Sequence, residues 1–176
     1  MIDFMVIGLP RSGTTWAANW LCTERTHCVH DPLYRLHYSE WDKSVLPGKQ
    51  VGVSCTGIWQ WPEWLNAHPA KKVILHRDLA EVNASLDAIG FPACDDSGPA
   101  KLAKINGLHL PHEALFDASL AAVIHSHLIG DGSFDAERHA ELCLIEMQPN
   151  FHGLTVGKEV TRRLLDEVMQ MVKGEC

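Results

Sequence analysis

Hydrophobic residues in this chain gather in short runs cut by glycine, proline and charge. Phe4 to Leu9 is apolar along its length and closes on Pro10, which predicts a strand buried on both faces. Thr26 to His30, ending at Asp31-Pro32, and Gln50 to Cys55 read as two more short strands. Lys71 to His76 carries the clearest later run, Val73-Ile74-Leu75, and reads as another buried strand.

Between these runs the period lengthens. Trp16 to Thr23 is compatible with a helix, Leu33 to Trp41 is weakly helical, and Trp59 to Asn66 reads as a short tryptophan-rich helix or turn. Asp78 to Ile89 predicts a helix, with Asp78 as N-cap and Glu81 three residues on in a capping-box pattern. Glycines, prolines and aspartates from Gly90 to Pro99 predict a loop. A helix is expected from Pro111 to Leu128, its apolar face made by Leu115, Leu120, Ala121, Ile124 and Leu128. Leu142 to Met147 is expected as a last strand and Lys158 to Val172 as an amphipathic terminal helix. Strands alternating with helices give the α/β class: one doubly wound domain over residues 1–176, a parallel central sheet flanked by helices.

Length agrees, since 176 residues make one domain with a core large enough to need no staple. A formal net charge of −7 argues against a nucleic-acid partner, which needs a broad basic face. It leaves room for a small anion held by a few arginines and a helix N-terminus. No apolar run approaches a membrane span, and the start of the chain lacks the pattern of a secretory signal. Cys22, Cys28, Cys55, Cys94, Cys143 and Cys176 are widely spaced, which suits reduced thiols and a cytoplasmic location.

The chemistry concentrates at Gly8-Leu9-Pro10-Arg11-Ser12-Gly13-Thr14-Thr15. This is the G-x-x-x-x-G skeleton of a phosphate-binding loop, set between a strand and a helix as its mechanism requires. Glycines let the chain wrap with its N–H groups inward, and the helix adds its positive end. Thr14 stands where a nucleoside triphosphatase has its lysine, and the fixed positive charge is Arg11 instead. No aspartate is evident to hold magnesium, so ordinary γ-phosphoryl transfer is poorly supported. A P-loop nucleotide or small-molecule kinase, or a non-catalytic nucleotide-binding P-loop domain, stand as the alternatives.

Pro10-Arg11-Ser12-Gly13-Thr14-Thr15-Trp16 resembles the loop of the sulfotransferase family, which uses 3′-phosphoadenosine 5′-phosphosulfate (PAPS). By that resemblance Arg11, Ser12, Gly13, Thr14 and Thr15 would hold the 5′-phosphosulfate and Trp16 would stack on adenine. The family also binds the cofactor's 3′-phosphate with an arginine at a strand end and a serine eight residues later. Arg77 follows Val73-Ile74-Leu75-His76, and Ser85 stands eight residues on. The resemblance covers residues 4–16 and 71–89. The later clamp K-x-G-x-x-G-x-W/K of the cytosolic branch is absent, and the chain is shorter than typical members.

The implied reaction moves a sulfuryl group from PAPS to a hydroxyl or amine of a small-molecule or carbohydrate-like acceptor, leaving adenosine 3′,5′-bisphosphate, with no metal expected. Arg11 would neutralise the leaving group. Val53-Ser54-Cys55-Thr56, matching the segment that carries a histidine base in cytosolic members, has none. His30-Asp31-Pro32-Leu33-Tyr34 looks similar to the E-P-L/V-W-like segment of carbohydrate-type members, so Asp31 is the expected base and His30 the second choice. Asp31 also suits a plain Asp-Pro turn. His109 with His112 and His125 with His127 lack a metal-ligand pattern, and Trp59, Trp61 and Trp64 suit packing better than an acceptor pocket.

Overall fold

Phe4–Gly8 (β1), Thr26–His30 (β2), Gln50–Cys55 (β3), Lys71–His76 (β4) and Leu108–Pro111 (β5) form one parallel sheet, ordered β2-β3-β1-β4-β5, in the computed structural model. The structure describes residues 1–43, 46–130, 134–145 and 158–174. The helices are Thr14–Trp20 (α1), Pro62–Ala67 (α2), Leu79–Asp87 (α3), Gly98–Leu102 (α4), Ala118–Ile129 (α5), Ala136–Cys143 (α6) and Lys158–Lys173 (α7). Short 3₁₀ segments span Pro32–Tyr34, Tyr38–Lys43, Ile58–Gln60 and His112–Leu115.

Strand alternation separates two cores. Met5, Ile7, Val51, Val53 and Ile74 meet Trp59, Leu65, Val82, Leu86 and Leu102 on one face of the sheet. Phe4, Val6, Val73 and Leu75 meet Trp16, Trp20, Leu115, Ala121, Ile124 and Leu128 on the other. Every β1 residue is buried, because a central parallel strand is covered on both sides. Gly52 has no side chain because the Phe4 ring occupies the space its Cβ would need. The terminal helix α7 rests Leu164, Val168 and Met171 on the first core. Its Glu167 accepts hydrogen bonds from His37 Nε2 and Tyr38 Oη, both at 2.7 Å.

Three expectations change. The segment Pro111 to Leu128 is not one helix: Pro111 ends β5, His112–Leu115 is a 3₁₀ turn, and α5 starts after Asp117, whose carboxylate caps the amides of Ser119 and Leu120. Leu120 is 38% exposed and leaves the core face to its neighbours. Leu142 and Cys143 lie in α6, not in a strand, because Asp135 caps that helix through the Arg138 amide; Met147 lies outside the described residues. Asp78 caps α3 through the amides of Ala80 and Glu81, but the box does not close, since the Glu81 carboxylate turns to Arg77 at 3.4 Å.

From β1 the chain leaves through α1 toward β2, and from β4 it leaves in the other direction toward β5. Adjacent strands whose connections diverge open a crevice at their C-terminal ends. The glycine loop follows β1 and Arg77 follows β4, so this crevice brings them together.

Candidate functional site

A cavity of about 670 Å³ occupies that crevice, lined by Arg11, Gly13, Thr14, Thr15, Trp16, His30, Asp31 and Arg77 among others. The loop at its base owes its shape to backbone angles. Gly13 has φ +83°, and a Cβ there would come within 2.7 Å of Leu115 Cδ1, so both conformation and space require glycine. Arg11 adopts φ 64° despite its side chain, and Asp31 adopts φ 43°. Among the described residues these are the non-glycine positions at positive φ, and both line the cavity. Strain of that kind persists only where the surroundings hold it.

The surroundings are visible. Arg77 donates from its guanidinium to the Arg11 carbonyl, pinning the strained residue to the end of β4. Arg11 in turn donates from Nε to Ser85 Oγ at 2.8 Å, reaching the second turn of α3. The spacing of Arg77 and Ser85 therefore converges on the loop's own cation. Ser54 Oγ donates to the Thr14 carbonyl at 2.7 Å and ties the start of α1 to β3. No side chain caps the first turn of α1, whose leading amides have no intrahelical partner.

Ser12 is placed differently from its neighbours. Its side chain is fully buried behind the loop, away from the cavity lining, and its amide donates to Leu9 at 3.2 Å. Its Oγ finds no partner there. Trp16 reaches the cavity but is only 4% exposed, with Nε1 donating to the Leu142 carbonyl and its ring meeting Phe116 edge-on at 5.2 Å.

Beside the start of α1 stand His30 and Asp31. Asp31 Oδ1 accepts from the Thr56 amide at 2.6 Å, and Thr56 Oγ1 lies 3.1 Å from both carboxylate oxygens. The buried Cys55 thiol faces the same carboxylate, and burial followed by that negative charge pushes the thiol up. His30 Nε2 sits 3.2 Å from Asp31 Oδ2, 3.2 Å from Thr15 Oγ1 and 3.4 Å from Thr14 Oγ1. Tyr34 lines the cavity beside them, its phenol raised by burial and then by Asp31.

Sequence reasoning missed Thr56, Tyr34, Phe116 and His112 as cavity residues. A single threonine after a strand carries no spacing signal, and His112 became visible only once β5 placed it opposite Arg77. Burial holds His112 below its ordinary value, partly offset by Glu113 at 3.0 Å. Trp59 is 5% exposed and serves both the core and the cavity wall. Among the described residues no three His, Cys, Asp or Glu side chains gather as a metal site; His109 instead accepts from His76 at 2.8 Å. No helix among the described residues is long and apolar enough to cross a membrane.

Comparison with protein-family models, with characterised proteins and with solved structures returns no match.

Proposed function

We propose that this chain is a PAPS-dependent sulfotransferase acting on a hydroxyl or amine acceptor. The observation that carries the reading is the Arg11–Ser85 hydrogen bond with Arg77 on the Arg11 carbonyl. Two sequence elements, each matched to one phosphate of the same nucleotide, meet at one place.

The residues fit the nucleotide. Uncapped amides of α1 and the Thr14 and Thr15 hydroxyls suit the 5′ anion, and Arg77 on the cavity wall suits the 3′-phosphate, with Ser85 acting through the Arg11 side chain it holds. Ser12 contributes through the loop's shape, since its hydroxyl lies behind it. Threonine at position 14 in place of lysine favours this donor over a magnesium-bound triphosphate. PAPS supplies an activated sulfuryl group. In the transfer, the bond from sulfur to the phosphate oxygen breaks as the acceptor's oxygen or nitrogen bonds to sulfur, and the acceptor's proton departs to a base. Arg11 offsets the charge on the released phosphate, and the cavity holds the reacting groups in line. Ile89 and Phe91, 41% and 43% exposed, put large apolar surface at the mouth, which favours a small acceptor with an apolar body.

Thermal unfolding with adenosine 3′,5′-bisphosphate and with ATP, each with and without magnesium, tests this. The bisphosphate is expected to stabilise the protein without magnesium; at 100 times its Kd it adds about 2.7 kcal/mol. A larger shift with Mg-ATP moves the assignment to a kinase, and binding without sulfuryl transfer to any acceptor moves it to a non-catalytic nucleotide-binding domain.

A further inference from the structure

His30 and Asp31 were expected as proton acceptors, yet their contacts suit another task. Asp31 has little carboxylate left to offer an incoming proton. The Thr56 amide and hydroxyl and the Cys55 thiol face it, and its side chain is only 8% exposed. Its backbone is fixed as well, the amide donating to Ser54 at 2.9 Å. What its negative charge does touch is His30 Nε2, 3.2 Å from Oδ2. A negative oxygen beside a ring nitrogen favours the tautomer with hydrogen on that nitrogen.

The single hydrogen on Nε2 then has Thr15 Oγ1 as its nearer hydroxyl acceptor, at 3.2 Å against 3.4 Å for Thr14 Oγ1. A hydroxyl has one hydrogen and two acceptor positions. When its oxygen accepts from His30, its own hydrogen is released to donate elsewhere. Both hydroxyls start α1, beside the uncapped amides.

We infer that His30 is a positioning residue of the anion cradle: its Nε2–H, kept on that nitrogen by the Asp31 charge, donates to the Thr15 oxygen so that the Thr15 hydroxyl hydrogen turns to the bound anion, with Thr56 holding Asp31 in place. The inference rests on the loop being an anion site, as in the proposed function, and gives Thr56 a role in binding at a distance from the ligand. It departs from the expectation of a base, because a base affects turnover while a cradle member affects affinity.

The test is isothermal titration with two probes, adenosine 3′,5′-bisphosphate and inorganic pyrophosphate, on wild type, His30→Ala, His30→Gln and Thr15→Val. Glutamine keeps an N–H donor near the Nε2 position. His30→Ala is expected to weaken both probes roughly tenfold, the scale of one hydrogen bond to a charged ligand network, and His30→Gln to recover most of it. In the Thr15→Val background, His30→Ala is expected to cost far less, because the two act through one bond. Unchanged affinity in His30→Ala overturns the inference, as does equal loss in His30→Ala and His30→Gln. Should His30→Ala unfold, the Thr15→Val and His30→Gln pair decides alone: loss in the first with retention in the second supports the role, and any other pattern overturns it. Wild type binding pyrophosphate but not the bisphosphate removes the sulfotransferase reading while His30 is still judged on pyrophosphate. Wild type binding neither overturns both.

Discussion

Arg11 and Ser85, 74 positions apart in the chain, are joined by a hydrogen bond of 2.8 Å from Nε to Oγ. The loop's cation is thereby aimed along α3 instead of being left to choose among rotamers. Holding a long side chain in one geometry costs entropy, and Ser85 supplies the interaction that offsets it. In Ser85→Ala the bisphosphate is expected to bind about five- to tenfold more weakly, with stability changed by no more than about 1 kcal/mol. Titration calorimetry and chemical denaturation separate the two effects.

Arg77 has a double role in this geometry, reaching the Arg11 carbonyl and standing where a 3′-phosphate is expected. Arg77→Ala is expected to weaken adenosine 3′,5′-bisphosphate by about 1.5–3 kcal/mol. AMP is expected to weaken too, by less, because the loop loses its brace. Equal losses for both ligands count against a 3′-phosphate role.

Left-handed backbone at Arg11 makes glycine and alanine unequal replacements, since φ 64° strains any residue with a Cβ. Both Arg11→Gly and Arg11→Ala remove the guanidinium and are expected to abolish measurable bisphosphate binding. Denaturant melts are expected to find the glycine variant about 1 kcal/mol more stable than the alanine variant. Equal stabilities mean that the loop relaxes away from its strained form.

Acid sensitivity follows from His76 and His109. His109 Nε2 donates to the Ile105 carbonyl at 2.7 Å, so its Nδ1 accepts from His76 Nε2 at 2.8 Å. Burial, and then the neighbouring His109, lower the His76 value from 6.5. The unfolded chain therefore binds more protons between that lowered value and 6.5. Stability is expected to fall as pH drops from about 6.5 through this window and to level off below it. His112 and His125, also lowered by burial, add to the same slope. Melting temperatures of His76→Gln across pH 4.5 to 7.5 are expected to give a shallower slope than wild type, on the order of one histidine's share.

Phe4 closes the last of these relationships. Its ring covers Gly52 where a Cβ would stand, and it is fully buried. Gly52→Ala is expected to cost about 1–3 kcal/mol by forcing the ring off its rotamer. The smaller pair Phe4→Leu with Gly52→Ala is expected to recover part of that loss in the same denaturation assay, because the two sites share one space.

Legibility in the chain followed burial and turn residues. β2, β3 and β4 were readable to the residue and β1 to within one: β1, β3 and β4 because strands covered on both faces become apolar runs, and the half-buried edge strand β2 because Asp31-Pro32 marks its end. β5 left no such run: its four residues alternate half-buried and exposed at a sheet edge and end in proline, so the helix signal beyond swallowed it. Leu142 to Met147 misled for another reason, since an apolar run that begins in the last turn of a short helix looks like a strand. At the site, resemblance to the sulfotransferase loop and its arginine–serine pair singled out Arg11, Arg77 and Ser85, whose convergence depends on strand ends. Thr56 and the contacts of His30 were invisible, because nothing in a linear pattern says which loop a carboxylate will turn toward.

β1 has a further consequence in the language of amide exchange. It pairs with β3 on one side and β4 on the other, all its residues buried. Exchange of its amides with solvent deuterium requires the molecule to open globally, whereas the short edge strand β5 and the ends of α3 open by local fluctuation. Deuterium exchange is therefore expected to be slower in β1, out of which the glycine loop grows, than around Ile89 and Phe91 on the cavity wall.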